Sequence, residues 1–374
     1  MDKHLHIVTH DVPWPADFGG VFDLFYKIKA LHQAGIKIHL HCYTHQRYEQ
    51  SMLNRYCASV DYYPRIKKLS FFQNLIPYIV QSRRSKKLLA NLLKDDYPIL
   101  LEGMHCTFHL YNGLLNKKNV FVRLHNVEHR YYKKLFSHER NLLKKTYYFI
   151  ESILLLRYEK RIVSSAPCWT VSKTDLQYFK EKKYAAKELN FLPVFIPWNE
   201  IHSTVGIGNF CLYHGNLSIN ENEEVACWLI DAIFCYINIP LVIAGKNPSE
   251  KLKKKVYEHP NMCLVENPSD FELSDLIKKA QINVLPSFNE TGVKLKLLNA
   301  LFNGRHCLVN AEGAAGSMVE NLCHLANSAE SFKNKIEWLY QLEFSKSAIE
   351  ERKEQLQSVY NNQQGAEKII SWLY

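Results

Sequence analysis

The sequence predicts an α/β protein made of two Rossmann-like domains in series. Three observations carry that expectation. Short β-rich apolar runs alternate with helix-length stretches along the whole chain, the pattern of parallel sheets wrapped by helices. The alternation starts afresh after Pro193 and Pro197. The 374 residues are enough for about two domains. The expected division is an N-terminal domain over 1–195, a C-terminal domain over 196–350 and a helical segment over 351–374, with a linker near 190–205. The last helix is expected to pack back on the N-terminal domain.

Residues 4–9, 37–43, 99–102, 120–124 and 168–171 read as the strands of the first sheet. Between the first two, residues 21–34 place apolar side chains at helical spacing. Strands of the second sheet are expected at 210–214, 240–244, 262–265, 282–285 and 307–309. The closing stretch 348–374 reads as helical, charged at first and then apolar at Ile369, Ile370, Trp372 and Leu373. There is no internal repeat and no low-complexity tail.

Composition narrows the function classes. No run of some 18 apolar residues occurs, so no transmembrane helix is expected. The first eight residues read as a strand and not as a signal peptide, which predicts a cytoplasmic protein. The ten cysteines are scattered with no CxxC pair, against a disulfide framework or a cysteine metal site, and are expected as buried reduced thiols. A net charge of +10 suits an anionic partner: sugar diphosphates, anionic lipid or nucleic acid. No RNP, helix-turn-helix or zinc-finger signature supports the last.

Gly19 and Gly20 stand between the first strand and its helix. Paired glycines there let backbone N–H groups approach a phosphate or carbohydrate oxygen, and they equally serve a tight turn that needs positive φ. The pair does not match GxGxxG, against a nicotinamide dehydrogenase. His125 follows the strand 120–124, at the carboxyl end where open α/β sheets bind ligands. It can hold a sugar hydroxyl or a reacting group, or be satisfied by loop carbonyls. Glu102, also at a strand end, with His105 and His109 after it, forms a second candidate set. The absence of HExxH spacing argues against zinc.

The most informative stretch is 285–301. A strand ends at Pro286, a loop carries Gly292, and a helix begins with Lys294 and Lys296 near its first turn. Cations at a helix N-terminus oppose the macrodipole unless an anion sits nearby, and a diphosphate would be that anion; a solvated basic face is the other reading. Gly304 closes the helix.

Taken with Tyr213-His214-Gly215-Asn216-Leu217, Val242-Ile243-Ala244-Gly245-Lys246 and Asn303-Gly304-Arg305, this half resembles glycosyltransferase family 4. That family comprises retaining enzymes of the GT-B fold, active in bacterial glycan and polysaccharide biosynthesis. Gly19-Gly20 and His125 are similar to the family's glycine loop and its histidine beside the donor sugar. The resemblance covers roughly residues 5–340. It implies a UDP- or GDP-sugar donor bound mainly by the C-terminal domain, in the cleft between domains. Gly292, Val293 and Lys294 would lie at the diphosphate, with Gly215, Asn216 and Lys246 nearby. Asn299 stands where the family has a ribose-binding glutamate, and Thr291, with Glu290 just before it, where it has another. Asn216 and Asn222 lie where a basic pair is usual, and Lys294 and Lys296 could replace that charge.

Basic residues interleave with aromatics over 65–87 and 130–157, in the domain where the family holds its acceptor. Such stretches suit an anionic membrane surface, or are amphipathic helices with solvated lysines. The resemblance therefore implies a glycosyltransferase acting on a glycan or lipid-linked acceptor, cytoplasmic and peripheral on the inner membrane face. No metal and no cofactor are expected, because cations would neutralise the diphosphate. His125, Lys294 and Glu102 are the expected catalytic groups, and Glu128 is a further candidate contact to the acceptor. A nucleotide-sugar epimerase or hydrolase, and a non-catalytic sugar-nucleotide-binding protein, are the alternatives on the same fold.

Overall fold

The computed structural model describes residues 2–374 apart from Asp17, Phe18, Gln46, 67–74, Arg140, Lys183, Ala185 and Glu290. Two units emerge: Met1–Pro197 with Tyr360–Tyr374, and Trp198–Val359.

The first unit holds β1 (His4–Thr9), β2 (Lys37–Thr44), β3 (Ser59–Pro64), β4 (Ile99–Glu102), β5 (Val120–Leu124), β6 (Cys168–Thr170) and β7 (Leu189–Phe191). They form a parallel sheet in the order β3-β2-β1-β4-β5-β6-β7. The second unit holds β8 (Cys211–Asn216), β9 (Leu241–Lys246), β10 (Met262–Glu266), β11 (Ile282–Val284), β12 (His306–Val309) and β13 (His324–Leu325). Its order, β10-β9-β8-β11-β12-β13, is also parallel throughout. Each chain path turns back beside its first strand, so each sheet has a switch point: between β1 and β4, and between β8 and β11. Loops at the carboxyl ends of those strands are the favoured ligand positions of doubly wound sheets.

Central strands such as β4 and β5 are buried at every residue, which is why they read as unbroken apolar runs. β3, β7 and β13 did not register in the sequence. β3 (SVDYYP) is an edge strand with polar and aromatic residues mixed, and the other two span three residues and two.

The C-terminal stretch is not one segment. The helix Lys346–Val359 belongs to the second unit, and the helix Asn362–Leu373 packs on the first, as its apolar residues suggested. Ala366, Ile369 and Leu373 join a core with Leu192, Phe195 and Trp169. Trp372 meets Trp169 with ring centroids 4.9 Å apart. Asn362 clamps the backbone of Ile196, donating to its carbonyl at 2.7 Å and accepting from its N–H at 3.1 Å. The approach is so close that a Cβ on Gly365 would fall 2.8 Å from Phe195 Cζ.

Gly304 does end its helix, but with φ −101° and not in the left-handed region. Glycine is required there because a Cβ would lie 2.3 Å from Asn283 Nδ2. All ten cysteines are free thiols; five are buried as expected, Cys57, Cys227 and Cys323 are partly buried, and Cys235 and Cys263 are exposed.

Candidate functional site

In the first unit, four charges meet beneath the carboxyl ends of β1, β4 and β5. Asp23 and Lys27 lie one turn apart on the helix Gly19–Gln33, which Gly19 and Gly20 open. Arg123, the fourth residue of β5, grips Asp23 with Nε at 2.9 Å and an Nη at 3.0 Å, and also donates to the carbonyls of Leu192 and Pro193. Lys27 Nζ sits 2.9 Å from Asp23 and 2.8 Å from Glu102 Oε1. Burial alone would raise both acids. Arg123 and then Lys27 instead hold Asp23 well below the usual carboxylate range, and Lys27 with the His125 hydrogen bond brings Glu102 below its ordinary value.

Glu102 is therefore an anion, and its Oε2 lies 2.9 Å from His125 Nε2. A carboxylate only accepts, so His125 carries a proton on Nε2, and Nδ1 is the ring nitrogen left for other contacts. The two residues expected from sequence thus form one unit, with Glu102 fully buried and His125 partly exposed. His10 and His105 lie beside it, their rings 5.2 Å apart, with His10 edge-on to His125 at 5.5 Å. Burial, reinforced for His10 by His125 and for His105 by Arg83, pushes both imidazoles well below their ordinary value, so they are neutral.

Asp23, Glu102 and His125 each place one ligand atom within 4.8 Å of the others, the spacing of a metal site. Lys27 and Arg123 already neutralise both carboxylates, however, and a cation would have to displace a buried ammonium. His109 does not join the set: its Nε2 bonds the Ser85 carbonyl at 3.0 Å. Glu128 is not an open contact either. It is buried, and burial followed by the nearby Glu159 pushes it up to about 8, so it is protonated at neutral pH.

Arg83, expected on a basic surface over 65–87, is buried and donates to the carbonyls of His10 and Ile79. Its guanidinium is a strut between loop and helix, so Arg83 itself takes no part in an exposed basic face, whereas Lys86 and Lys87 of the stretch are exposed. Lys67, Lys68, Phe71 and Phe72 of the same stretch lie outside the described residues.

The second unit gathers its candidates at the β8–β11 switch point. The ends of β8 and β9 run so close that a Cβ on Gly245 would lie 2.1 Å from the Gly215 carbonyl oxygen. Beyond them, Asn216 turns the loop by accepting from Ser218 at 2.7 Å and 3.1 Å, and Asn222 donates to the Asn216 carbonyl at 2.9 Å. Lys246 is exposed at the end of β9, its carbonyl held by Leu217 N–H.

After β11, Thr291 bonds Asn289 Oδ1 through both its N–H (2.9 Å) and its hydroxyl (2.8 Å). Gly292 follows at φ +66°, a left-handed conformation that favours glycine. Val293 leads to Lys294, which takes the cap position of the helix Leu295–Asn303 and donates to the Thr291 carbonyl at 2.6 Å. Lys296 lies over the Tyr213 ring, 4.9 Å from its centroid. Burial, with Lys294 adding to it, pushes the Lys296 ammonium down to about 8, and Glu221 opposes the shift. Burial and Lys296 push His214 down to about 3. Asn299 Oδ1 accepts from Asn303 at 2.8 Å, one turn further on. Glu290 lies outside the described residues.

The structure therefore brings together His125 with Glu102, and Lys296 with Tyr213 and His214 of β8, while Gly292, Val293 and Lys294 form the loop and cap that lead to it. Sequence reasoning missed Asp23, Lys27, Arg123 and Glu221 as members of these sites. The first two show only an ordinary i,i+4 charge pair, which on most helices is solvent-exposed.

The fold defines a class: two doubly wound α/β units in one chain, the GT-B fold. Residues 208–342 match the family described as glycosyl transferases group 1. Over 334 residues the chain is 29% identical to an uncharacterized 44.6 kDa protein in the cps region of Klebsiella pneumoniae, covering 83% of this chain and 84% of that one. Sucrose-phosphate synthase from Thermosynechococcus elongatus superposes with a TM-score of 0.72 at 14% identity, over 99% of this chain and 98% of the other. HepE of Anabaena, solved in complex with UDP and glucose, gives 0.66 at 12% identity over 99% and 98% of the two chains. At these identities the solved structures establish the fold.

Proposed function

We propose that the chain transfers a sugar from a nucleoside diphosphate sugar to a hydroxyl of a glycan or lipid-linked acceptor, with retention at the anomeric carbon. The observation that carries this reading is the pair of lysines at the loop-to-helix junction after β11. Lys294 caps the helix that follows the left-handed Gly292, and Lys296, buried over the Tyr213 ring, has its ammonium pushed down although Glu221 opposes the shift. A diphosphate would be bound there by helix N–H groups and ammonium donors.

In the transfer, the acceptor oxygen forms a bond to the anomeric carbon as the bond from that carbon to the diphosphate oxygen breaks. The hydroxyl proton passes to a departing phosphate oxygen. Lys294 and Lys296 stabilise the charge that develops on the leaving group. His125, oriented by Glu102, offers Nδ1 to a sugar hydroxyl. No metal is required where two ammonium groups and a helix N-terminus neutralise the diphosphate. The UDP and glucose of HepE, and the cps region of the Klebsiella relative, favour a UDP-sugar and polysaccharide biosynthesis.

The test is a thermal-shift series with UDP-, GDP- and ADP-sugars on the wild type and on Lys294→Ala, followed by incubation with labelled donor. A ligand that binds only the folded state raises the melting temperature. Stabilisation of the wild type alone, with label moving to an added acceptor, supports the proposal. Product from donor without acceptor would assign an epimerase or hydrolase, and binding without turnover a binding protein.

A further inference from the structure

The helix Leu142–Ser165 is apolar on two sides. Leu155, Tyr158, Ile162 and Val163 face the core and are 0–2% exposed. On the other side Leu142, Phe149, Ile153 and Leu156 fall at helical spacing on one stripe, with Leu143 beside it. Their exposures are 78%, 49%, 43% and 43%, and Leu143 is 84% exposed. Phe149 meets Phe136 of the helix Glu128–His138 at 5.4 Å, which widens the patch. A helix that is apolar all round is ordinarily covered all round, and a contiguous exposed apolar patch marks an interaction surface.

The charges say what covers it. The helix has two acids, and both are turned inward. Glu151 accepts from the N–H groups of Tyr78 and Ile79 at 2.9 Å each. Glu159 takes the N–H of His129 at 2.9 Å and its Nδ1 at 2.6 Å. Lys144, Arg157, Lys160 and Arg161 are exposed, so the outward face of this helix carries cations and apolar groups and no acid. A second copy of this chain would set like charges against each other, in a protein of net charge +10.

We propose that this face docks on an anionic phospholipid bilayer, lying in the headgroup plane. Leu142, Leu143, Phe149, Ile153 and Leu156 enter the acyl boundary, and the lysines and arginines meet lipid phosphates. None of the described helices is long and apolar enough to cross a membrane, and the contact proposed is interfacial. The surface uses none of the pocket residues above, so it stands or falls apart from the transfer reaction.

Sedimentation of the full chain with vesicles tests it. Mixed phosphatidylglycerol and phosphatidylcholine vesicles should retain the protein at least about tenfold better than phosphatidylcholine alone, and less so at high salt. Two variants with unchanged melting temperature should each lose that retention: L143S/F149S/I153S and R157E/K160E. Hydrogen exchange on the wild type needs no variant, and anionic vesicles should protect residues 142–157. No retention on anionic vesicles, or protection elsewhere only, would overturn the proposal. So would a concentration-dependent dimer that the apolar variant abolishes without any vesicle binding, which would assign the face to a second copy.

Discussion

Lys296 shows how a candidate ligand-binding residue costs the free protein stability. Its ammonium is pushed from 10.5 to about 8 by burial and by Lys294. The unfolded chain therefore binds more protons between pH 8 and 10.5, and folding is disfavoured by this group below that window and relieved within it. Lys296→Met should raise the melting temperature of the free protein at pH 7 while weakening UDP binding by roughly ten- to a hundredfold, the worth of a charge-assisted hydrogen bond. In the wild type, UDP affinity measured by calorimetric titration should hold up to about pH 8 and fall above it; the variant should lose that pH dependence. Lys27 has the opposite sense, because it is the counter-charge of two buried acids. Lys27→Met should cost about 3–5 kcal/mol, since the carboxylates left behind are uncompensated. Lys27→Met with Glu102→Leu should recover part of that loss in a thermal melt. His125 and Lys294 were visible in the sequence because they stand at strand and helix ends. Lys27 was not, because nothing local distinguishes a buried helical ion pair from a solvated one.

At the scale of elements, β1 and β2 hold a pH-sensitive ladder. Strand alternation puts His4 and His6 on one face of β1 and His39 and His41 on the same face of β2, where His4 bonds His39 and His6 bonds His41 diagonally across the ladder. Asn91 donates to the Tyr63 hydroxyl at 2.8 Å, and that hydroxyl donates to His41 Nδ1 at 2.8 Å. His41 Nε2 then donates to His6 Nδ1 at 2.9 Å, and His6 Nε2 to Asp95 at 3.0 Å. With neutral imidazoles each of these contacts is satisfied, and a proton added to His41 Nδ1 would face the donor it now accepts from. Burial, then the neighbouring His6, pushes His41 down to about 3. A histidine lowered on folding leaves the unfolded state binding more protons between about pH 3 and 6.5, so stability rises with pH across that window. The melting temperature should fall from pH 7 to pH 5, and His41→Gln should flatten the profile. The histidines could be read in the sequence as alternating on strands, but not their pairing, which depends on the register of two strands 35 residues apart.

Across the whole molecule, the chain returns to its first unit at the end. Removing 360–374 would strip Ala366, Ile369 and Leu373 from a core they share with Leu192, Phe195 and Trp169. Calorimetry of that truncated protein should show a lowered transition for the first unit and an unshifted one for the second, whose residues 198–359 are left intact.

Local information determined the periodic strands, the helix after Gly20, the glycine-lysine loop at 292–296 and the apolar character of residues 369–373. Each rests on side-chain spacing or on a backbone requirement that neighbouring residues express. The tertiary structure alone decided which charges are buried. It turned Arg83 inward and paired Glu102 with both Lys27 and His125. It also left the apolar stripe of Leu142–Ser165 facing outward. Burial is a property of what packs against a residue from distant parts of the chain, and the cost of an unpaired buried charge selects partners that no local pattern records.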